Sequence, residues 1–184
     1  FCEVVYLPRT EGISSTMLRD DLQADITIGV VGVGRIAERF VPESEFVSYV
    51  KVNGIYDIDY GKACLFADKH KIVNIYQSYG ELLENVDAVY VATPHLSHYE
   101  LTKQAILNKK HVLCETPLVL KGEQAKELYH LAEENGVVLM EANKTAHSPA
   151  FNHLIMMIKS GAIGDVVDVS ASESKLWGDK FTRE

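Results

Sequence analysis

The stretch Ile26 to Ala37, ITIGVVGVGRIA, constrains this chain more than any other. Ile26–Val31 is a short apolar run rich in β-branched side chains, which reads as a buried parallel strand. It meets Gly32, Gly34 and Ala37 in the spacing G-x-G-x-x-A. Gly32 permits a tight turn from strand to helix, Gly34 lets backbone N–H groups approach a pyrophosphate, and Ala37 lets the helix pack closely on the strand. Arg35 opens a helical pattern, whose N-terminus faces the anion with unpaired N–H donors and a partial positive charge. Such a glycine pattern acquires meaning from its context: a strand before, a helix after, a second strand, and an acid about 20 residues on. That context is present. Val50–Asp57, VKVNGIYD, reads as the second strand and ends on Asp57. A carboxylate there accepts hydrogen bonds from the adenosine ribose hydroxyls of NAD and repels the 2′-phosphate of NADP. Asp59 is a second candidate; Asp57 is preferred because it ends the strand.

Composition narrows the alternatives. The 184 residues are 47% hydrophobic, enough for one full domain and a fragment of another. No apolar run is long enough to span a membrane. The net charge of −8 argues against a nucleic-acid or membrane-surface partner. Cys2, Cys64 and Cys114 are scattered, without C-x-x-C, and read as reduced thiols of a cytoplasmic protein rather than as a disulfide or zinc framework. No histidine has a metal-ligand spacing, so no metal site is expected. The chain starts at Phe1 and stops just after a strand-like run, Val166–Ser174. Both ends read as cut, and a longer polypeptide is expected.

From Asp25 onward, strands and helices alternate. Helices are expected from Arg35 to about Pro42 and over Tyr60–His70, His98–Leu107, Glu123–Asn135 and Phe151–Lys159, with a further one capped by Ser78. Strands are expected at Ile72–Tyr76, Asp87–Ala92, His111–Cys114 and Val137–Met140, and Gly136 reads as a helix terminator. The fold class is therefore α/β, a doubly wound parallel sheet. Ligands of such sheets bind outside the carboxyl ends of the strands. That rule selects four loops: Gly32 to Ile36, Thr93 to His98, Glu115 to Pro117 and Glu141 to His147.

Two resemblances add to this reading. RTEGISST followed by MLRD, from Arg9 to Asp20, resembles the C-terminal signature of the glycerol-3-phosphate cytidylyltransferase family, whose Arg and Ser/Thr residues contact CTP phosphates. That family's HxGH motif is absent here, so residues 1–23 are expected to be the inactive tail of a preceding domain. The larger resemblance runs from about Ile26 to Ser174. GVGRIA at Gly32, DAVYVATPHLSH from Asp87, KHVLCETP from Lys110, and LMEANKTAHSPAF from Leu139 with SGAIGDVVDVSAS after it are similar to the glucose–fructose oxidoreductase, inositol dehydrogenase and rhizopine-catabolism (Gfo/Idh/MocA) family. The resemblance implies an NAD(P)-binding Rossmann domain over residues 24–147. Over 148–184 it implies a connecting helix and the first strand of a truncated α/β domain that carries substrate contacts and the homo-oligomer interface. Carried over by position, Gly32, Gly34, Arg35 and Ile36 touch the pyrophosphate and Asp57 holds the adenosine ribose. Ala92, Thr93, Pro94 and His98 line the nicotinamide side, and Glu115 sits near its ribose.

One departure bears on catalysis. The family motif is usually Glu-Lys-Pro, with the Lys as proton donor or acceptor, and this chain has Thr116 in that place. A hydroxyl hydrogen-bonds a carbonyl but is a poor acid near pH 7, and losing a proton partner costs roughly 10²–10⁴-fold in rate. Lys144 and His147 leave the next strand on the same edge and are the available replacements. The resemblance thus implies hydride transfer between NAD, less readily NADP, and a polyol, sugar or sugar phosphate. The flanking tail suggests a bifunctional cytidylyltransferase/oxidoreductase. A non-catalytic NAD-binding module is the alternative.

Overall fold

The structure, a computed structural model, describes residues 25–172. The expectations for the nucleotidyltransferase-like tail, for Cys2 and for Ser174 lie outside the described residues. The residues up to Ala142 and those from Asn143 onward form two separately packed units.

The first unit contains a six-stranded sheet: β1 Ile26–Val31, β2 Val50–Tyr56, β3 Asn74–Ile75, β4 Ala88–Val91, β5 His111–Cys114 and β6 Leu139–Glu141. Their order is β3-β2-β1-β4-β5-β6 and every pairing is parallel. Between the strands run α1 Ala37–Ser44, α2 Tyr60–His70, α3 Tyr79–Glu84, α4 His98–Leu107 and α5 Gly122–Asn135. The order reverses between β1 and β4, which opens a crevice at the carboxyl ends of those two strands, where ligands of such sheets bind.

Alternation along each strand feeds two cores. Val30, Ile55 and Tyr90 pack with Ala37, Val41, Ala63, Phe66 and Ala67 of α1 and α2. Val31, Val89 and Val91 pack on the other face with residues of α3, α4 and α5, among them Leu82, Ala105, Ile106 and Leu128. Both faces are covered, which is why the strands read as continuous apolar runs.

Local chemistry fixes the element ends. Asp59 Oδ1 accepts from Lys62 N at 3.1 Å and caps α2. Ser78 Oγ accepts from Glu81 N at 3.1 Å, while Glu81 Oε2 accepts from Gln77 N at 3.1 Å, and the two bonds start α3. Gly136 ends α5 in the left-handed region. Asn53 is an extra residue in β2, because Ile28 pairs with Val52 and Gly29 with Gly54. Its side chain donates to Asn85 O at 2.9 Å.

Several bounds differ from the sequence reading. α1 begins at Ala37, not Arg35, because Gly34 to Ile36 form a turn first. Pro42 lies inside α1 rather than ending it; the helix continues to Ser44, whose hydroxyl donates to Val41 O at 2.7 Å. β3 is two residues long and β6 starts at Leu139. Residues 166–172 form no strand. A strand needs a neighbour for its backbone groups, and none pairs with this run among the described residues.

The second unit holds α6, Pro149–Lys159, with Pro149 in its first turn and Ser148 Oγ accepting from Phe151 N at 3.2 Å. None of its residues is buried. No helix of the described residues is long and apolar enough to cross a membrane.

Candidate functional site

The turn after β1 contains two glycines with different reasons for being there. Gly32 has φ +90°, and a Cβ on it would lie 2.8 Å from Thr93 Cγ2 and 2.9 Å from the Ala92 carbonyl oxygen. The fold itself therefore demands glycine at this position. Gly34 is outside the left-handed region, and its Cβ would meet nothing nearer than the Ala92 oxygen at 4.0 Å. The fold makes no such demand there. Gly34, Arg35 and Ile36 are exposed, and their N–H groups have no hydrogen-bond partner among the described residues. α1 starts without a side-chain cap. The result is an open cradle of donors at a helix N-terminus, the arrangement that suits a phosphate.

Asp57 stands beside this cradle. Its Oδ2 accepts from Val33 N at 2.9 Å and its Oδ1 from Asp59 N at 2.9 Å. Both oxygens keep a second lone pair. Asp59, the alternative candidate, is committed elsewhere. It caps α2 and pairs with Lys62 Nζ at 3.3 Å. The Lys62 backbone N–H, with its ammonium behind, holds the Asp59 carboxyl below the ordinary carboxylate value. Ile58, between the two acids, is 94% exposed.

The loop after β4 begins with Ala92, Thr93 and Pro94, the first two of which lie against the first turn at Gly32. Ser97 Oγ lies 2.8 Å from Thr93 Oγ1 and 2.7 Å from Pro94 O. His98, expected to line the nicotinamide side, is 0% exposed. Its Nδ1 is 2.9 Å from Pro117 O and its Nε2 is 2.8 Å from Thr93 O. The ring ties the loop after β4 to the loop after β5. Both ring nitrogens thus face backbone carbonyl oxygens of those loops.

At the end of β5, Tyr90 Oη donates to Glu115 Oε1 at 2.6 Å and Thr116 N to Glu115 Oε2 at 3.3 Å. Burial first, and then Glu115, push the Tyr90 phenol far above its ordinary value. Glu141 Oε1 accepts from Leu118 N at 2.9 Å and secures the chain beyond Pro117. Thr116 is exposed. Burial lifts the Cys114 thiol to about 12, so this neighbour of Glu115 is not a nucleophile. Lys144 and His147 belong to the second unit, exposed in the turn over residues 144–147 that precedes α6. Among the described residues, no cluster of three or more His, Cys, Asp or Glu is arranged to hold a metal.

The sequence reading placed Tyr90 in a strand and Glu141 at the start of a loop, but gave neither its hydrogen-bonding role. The signal for Tyr90 was a polar tip inside an otherwise aliphatic buried strand, since a buried phenol requires a partner. Glu141 offered no comparable signal, because its bond to Leu118 spans loops remote in sequence.

Residues 26–143 match the profile of an oxidoreductase family with an NAD-binding Rossmann fold. The scyllo-inositol 2-dehydrogenase (NADP(+)) of Bacillus subtilis is 32% identical over 131 residues, 70% of this chain and 40% of that protein. The dTDP-3,4-didehydro-2,6-dideoxy-α-D-glucose 3-reductase of Actinomadura kijaniata is 34% identical over 150 residues, 80% of this chain and 45% of that protein. Among solved structures, a 3-ketoreductase from A. kijaniata in complex with NADP and TDP-benzene superposes with a TM-score of 0.67 at 34% identity, over 74% of this chain and 42% of that one. The chain thus spans less than half the length of these relatives.

Proposed function

The chain belongs to the Gfo/Idh/MocA oxidoreductase family, and on that premise we propose that it is the cofactor-binding portion of an NAD-dependent oxidoreductase acting on a polyol, sugar or sugar phosphate. The observation that carries this reading is Gly34, a glycine that the fold does not need, set in an exposed cradle of unpartnered N–H groups. Such a glycine answers to a ligand's approach. The amides of Gly34, Arg35 and Ile36 would hold the pyrophosphate, and Asp57 the adenosine ribose. Ala92, Thr93 and Pro94 would face the nicotinamide, and Glu115 its ribose. Bound there, the nicotinamide supplies the hydride chemistry; the protein's share is binding, orientation and the proton.

NAD is favoured over NADP by charge. Asp57 and Asp59 flank Ile58, and the nearby Lys62 is paired with Asp59. A 2′-phosphate would meet a carboxylate with no unpaired cation from this segment. One named relative carries NADP(+) in its name and another was solved in complex with NADP, so a preference for NAD would set this chain apart from them. Titration of the 184-residue chain with NADH and NADPH tests it. A stronger NADH isotherm supports the reading, and equal or stronger NADPH binding overturns it.

Proton transfer would fall to Lys144 or His147, since Thr116 is a poor acid. Both follow the carboxyl end of β6 within a few residues. In the parent enzyme, Lys144→Ala should lower kcat by roughly 10²–10⁴-fold; an unchanged rate removes it from the site. Thr116 itself favours the second reading, a module that binds NAD(H) without turnover. Assay of the parent with candidate ketose phosphates separates the two. The resemblance of Arg9 to Asp20 to the cytidylyltransferase signature supports a bifunctional parent making and activating an alditol phosphate. An HxGH motif upstream in the parent's sequence would agree with it. Oligomerisation through a second α/β domain is part of the same proposal.

A further inference from the structure

Tyr90 occupies the middle of β4, between Val89 and Val91, and is 2% exposed. Its ring stacks on Phe40 of α1, with centroids 3.8 Å apart and planes 19° from parallel. Packing alone would be satisfied by phenylalanine. A buried hydroxyl costs free energy unless bonded, and among the described residues this one has a single partner, Glu115 Oε1 at 2.6 Å. The bond is short, as expected for a donor facing a carboxylate.

We propose that Tyr90 is a positioning residue for the cofactor site: its hydroxyl sets the Glu115 carboxylate toward the ribose on the nicotinamide side, and its ring ties that carboxylate to the pyrophosphate helix through Phe40. The inference rests on the cofactor reading above and goes beyond it. Glu115 lies past the end of β5, next to β4, at the edge where ligands of a doubly wound sheet sit. Left alone, a glutamate there has three side-chain torsions and must be ordered by its ligand. With Oε1 accepting from Tyr90 Oη and Oε2 from Thr116 N, the carboxylate is ordered beforehand, and each oxygen keeps a lone pair for a ligand. Ordering an acceptor in advance lowers the cost of binding. The Phe40 stack adds a consequence. α1 begins at the cradle that would hold the pyrophosphate, so Phe40 and Tyr90 form a packed link between the two ends of the cofactor site.

A ladder of ligands tests this on the full 184-residue chain. ADP reaches the cradle and Asp57 but lacks the second ribose; ADP-ribose adds it; NADH adds the nicotinamide. Tyr90→Phe keeps the ring and its stack. Its ADP affinity should stay within about twofold of wild type, while ADP-ribose and NADH weaken by about three- to tenfold, the worth of one hydrogen bond. Glu115→Gln, which leaves the core untouched, should show the same pattern. The double variant should be no weaker than the worse single one, because both act on one contact. The proposal is overturned if Tyr90→Phe weakens ADP and ADP-ribose by the same factor, or leaves ADP-ribose unchanged while Glu115→Gln weakens it. A wild-type chain that binds none of the three ligands overturns the cofactor reading itself, a result distinct from either.

Discussion

The Val33 N–H donates to Asp57 Oδ2 at 2.9 Å, so the acid at the end of β2 is bonded to the glycine turn after β1. One carboxylate therefore shapes the cradle and, on the proposed reading, would also hold a ribose. Replacing Asp57 should reveal both roles. Asp57→Ala removes the partners of two backbone amides and should cost about 1–3 kcal/mol of stability by urea unfolding. It should also weaken NADH by at least about tenfold, the worth of roughly 1.4 kcal/mol, and weaken NADPH less. Parallel titrations check the ratio; an unchanged ratio contradicts the assignment of Asp57.

Gly32 should be irreplaceable for folding. At φ +90°, with a Cβ within 3.0 Å of the Ala92 backbone, alanine meets both strain and overlap with atoms that cannot swing away. Gly32→Ala is expected to lose about 2 kcal/mol or more, by chemical denaturation. A loss below about 0.5 kcal/mol would contradict the turn geometry.

Asp87 predicts a pH dependence at the amino ends of the central strands β1 and β4. Its Oδ2 accepts from Thr27 Oγ1 at 2.6 Å and from Thr27 N at 2.9 Å, joining β1 to the start of β4. Those bonds hold its carboxyl below the ordinary value. A depressed folded-state pKa contributes stability above the unfolded-state value near about 3.9, and the contribution disappears as pH falls through the folded value. Asp87→Asn should thus be less stable than wild type at pH 7, with the gap closing below about pH 4. A gap independent of pH would contradict the assignment.

Cys114 should be chemically silent. Burial lifts its thiol to about 12, and it is 0% exposed, whereas Cys64 is half-buried. Alkylation at pH 8, read by mass spectrometry, should modify Cys64 in the native protein and Cys114 only on unfolding. Native labelling of Cys114 at the rate of Cys64 would show that the second core is open.

Much of the architecture was legible because this fold writes its strands as apolar runs. Ile26–Val31 and His111–Cys114 begin and end where the residues suggest, and the helices Tyr60–His70 and His98–Leu107 do as well. Less legible was what depends on partners distant in sequence. His98 reads as a crevice residue from its loop, yet its two backbone partners, Thr93 and Pro117, enclose it. The start of α1 shifted because the turn uses Gly34 to Ile36 before helical bonding sets in. Val166–Val169 has strand-forming residues but no neighbouring strand among the described residues, and composition cannot supply one. Tyr90 was read as part of an apolar run, and its hydroxyl gained a role only once Glu115 was placed 25 residues later beside it.

Gly34→Ala offers the most direct test of the central claim, because it separates ligand from fold. The new methyl group would sit 4.0 Å from its nearest neighbour, so unfolding should shift by less than about 0.5 kcal/mol. The same methyl would stand in the cradle, and calorimetric titration should show NADH binding at least about tenfold weaker than in wild type. A stable Gly34→Ala chain that binds NADH as wild type does, or a wild-type chain that gives no heat with millimolar NADH, would contradict the account.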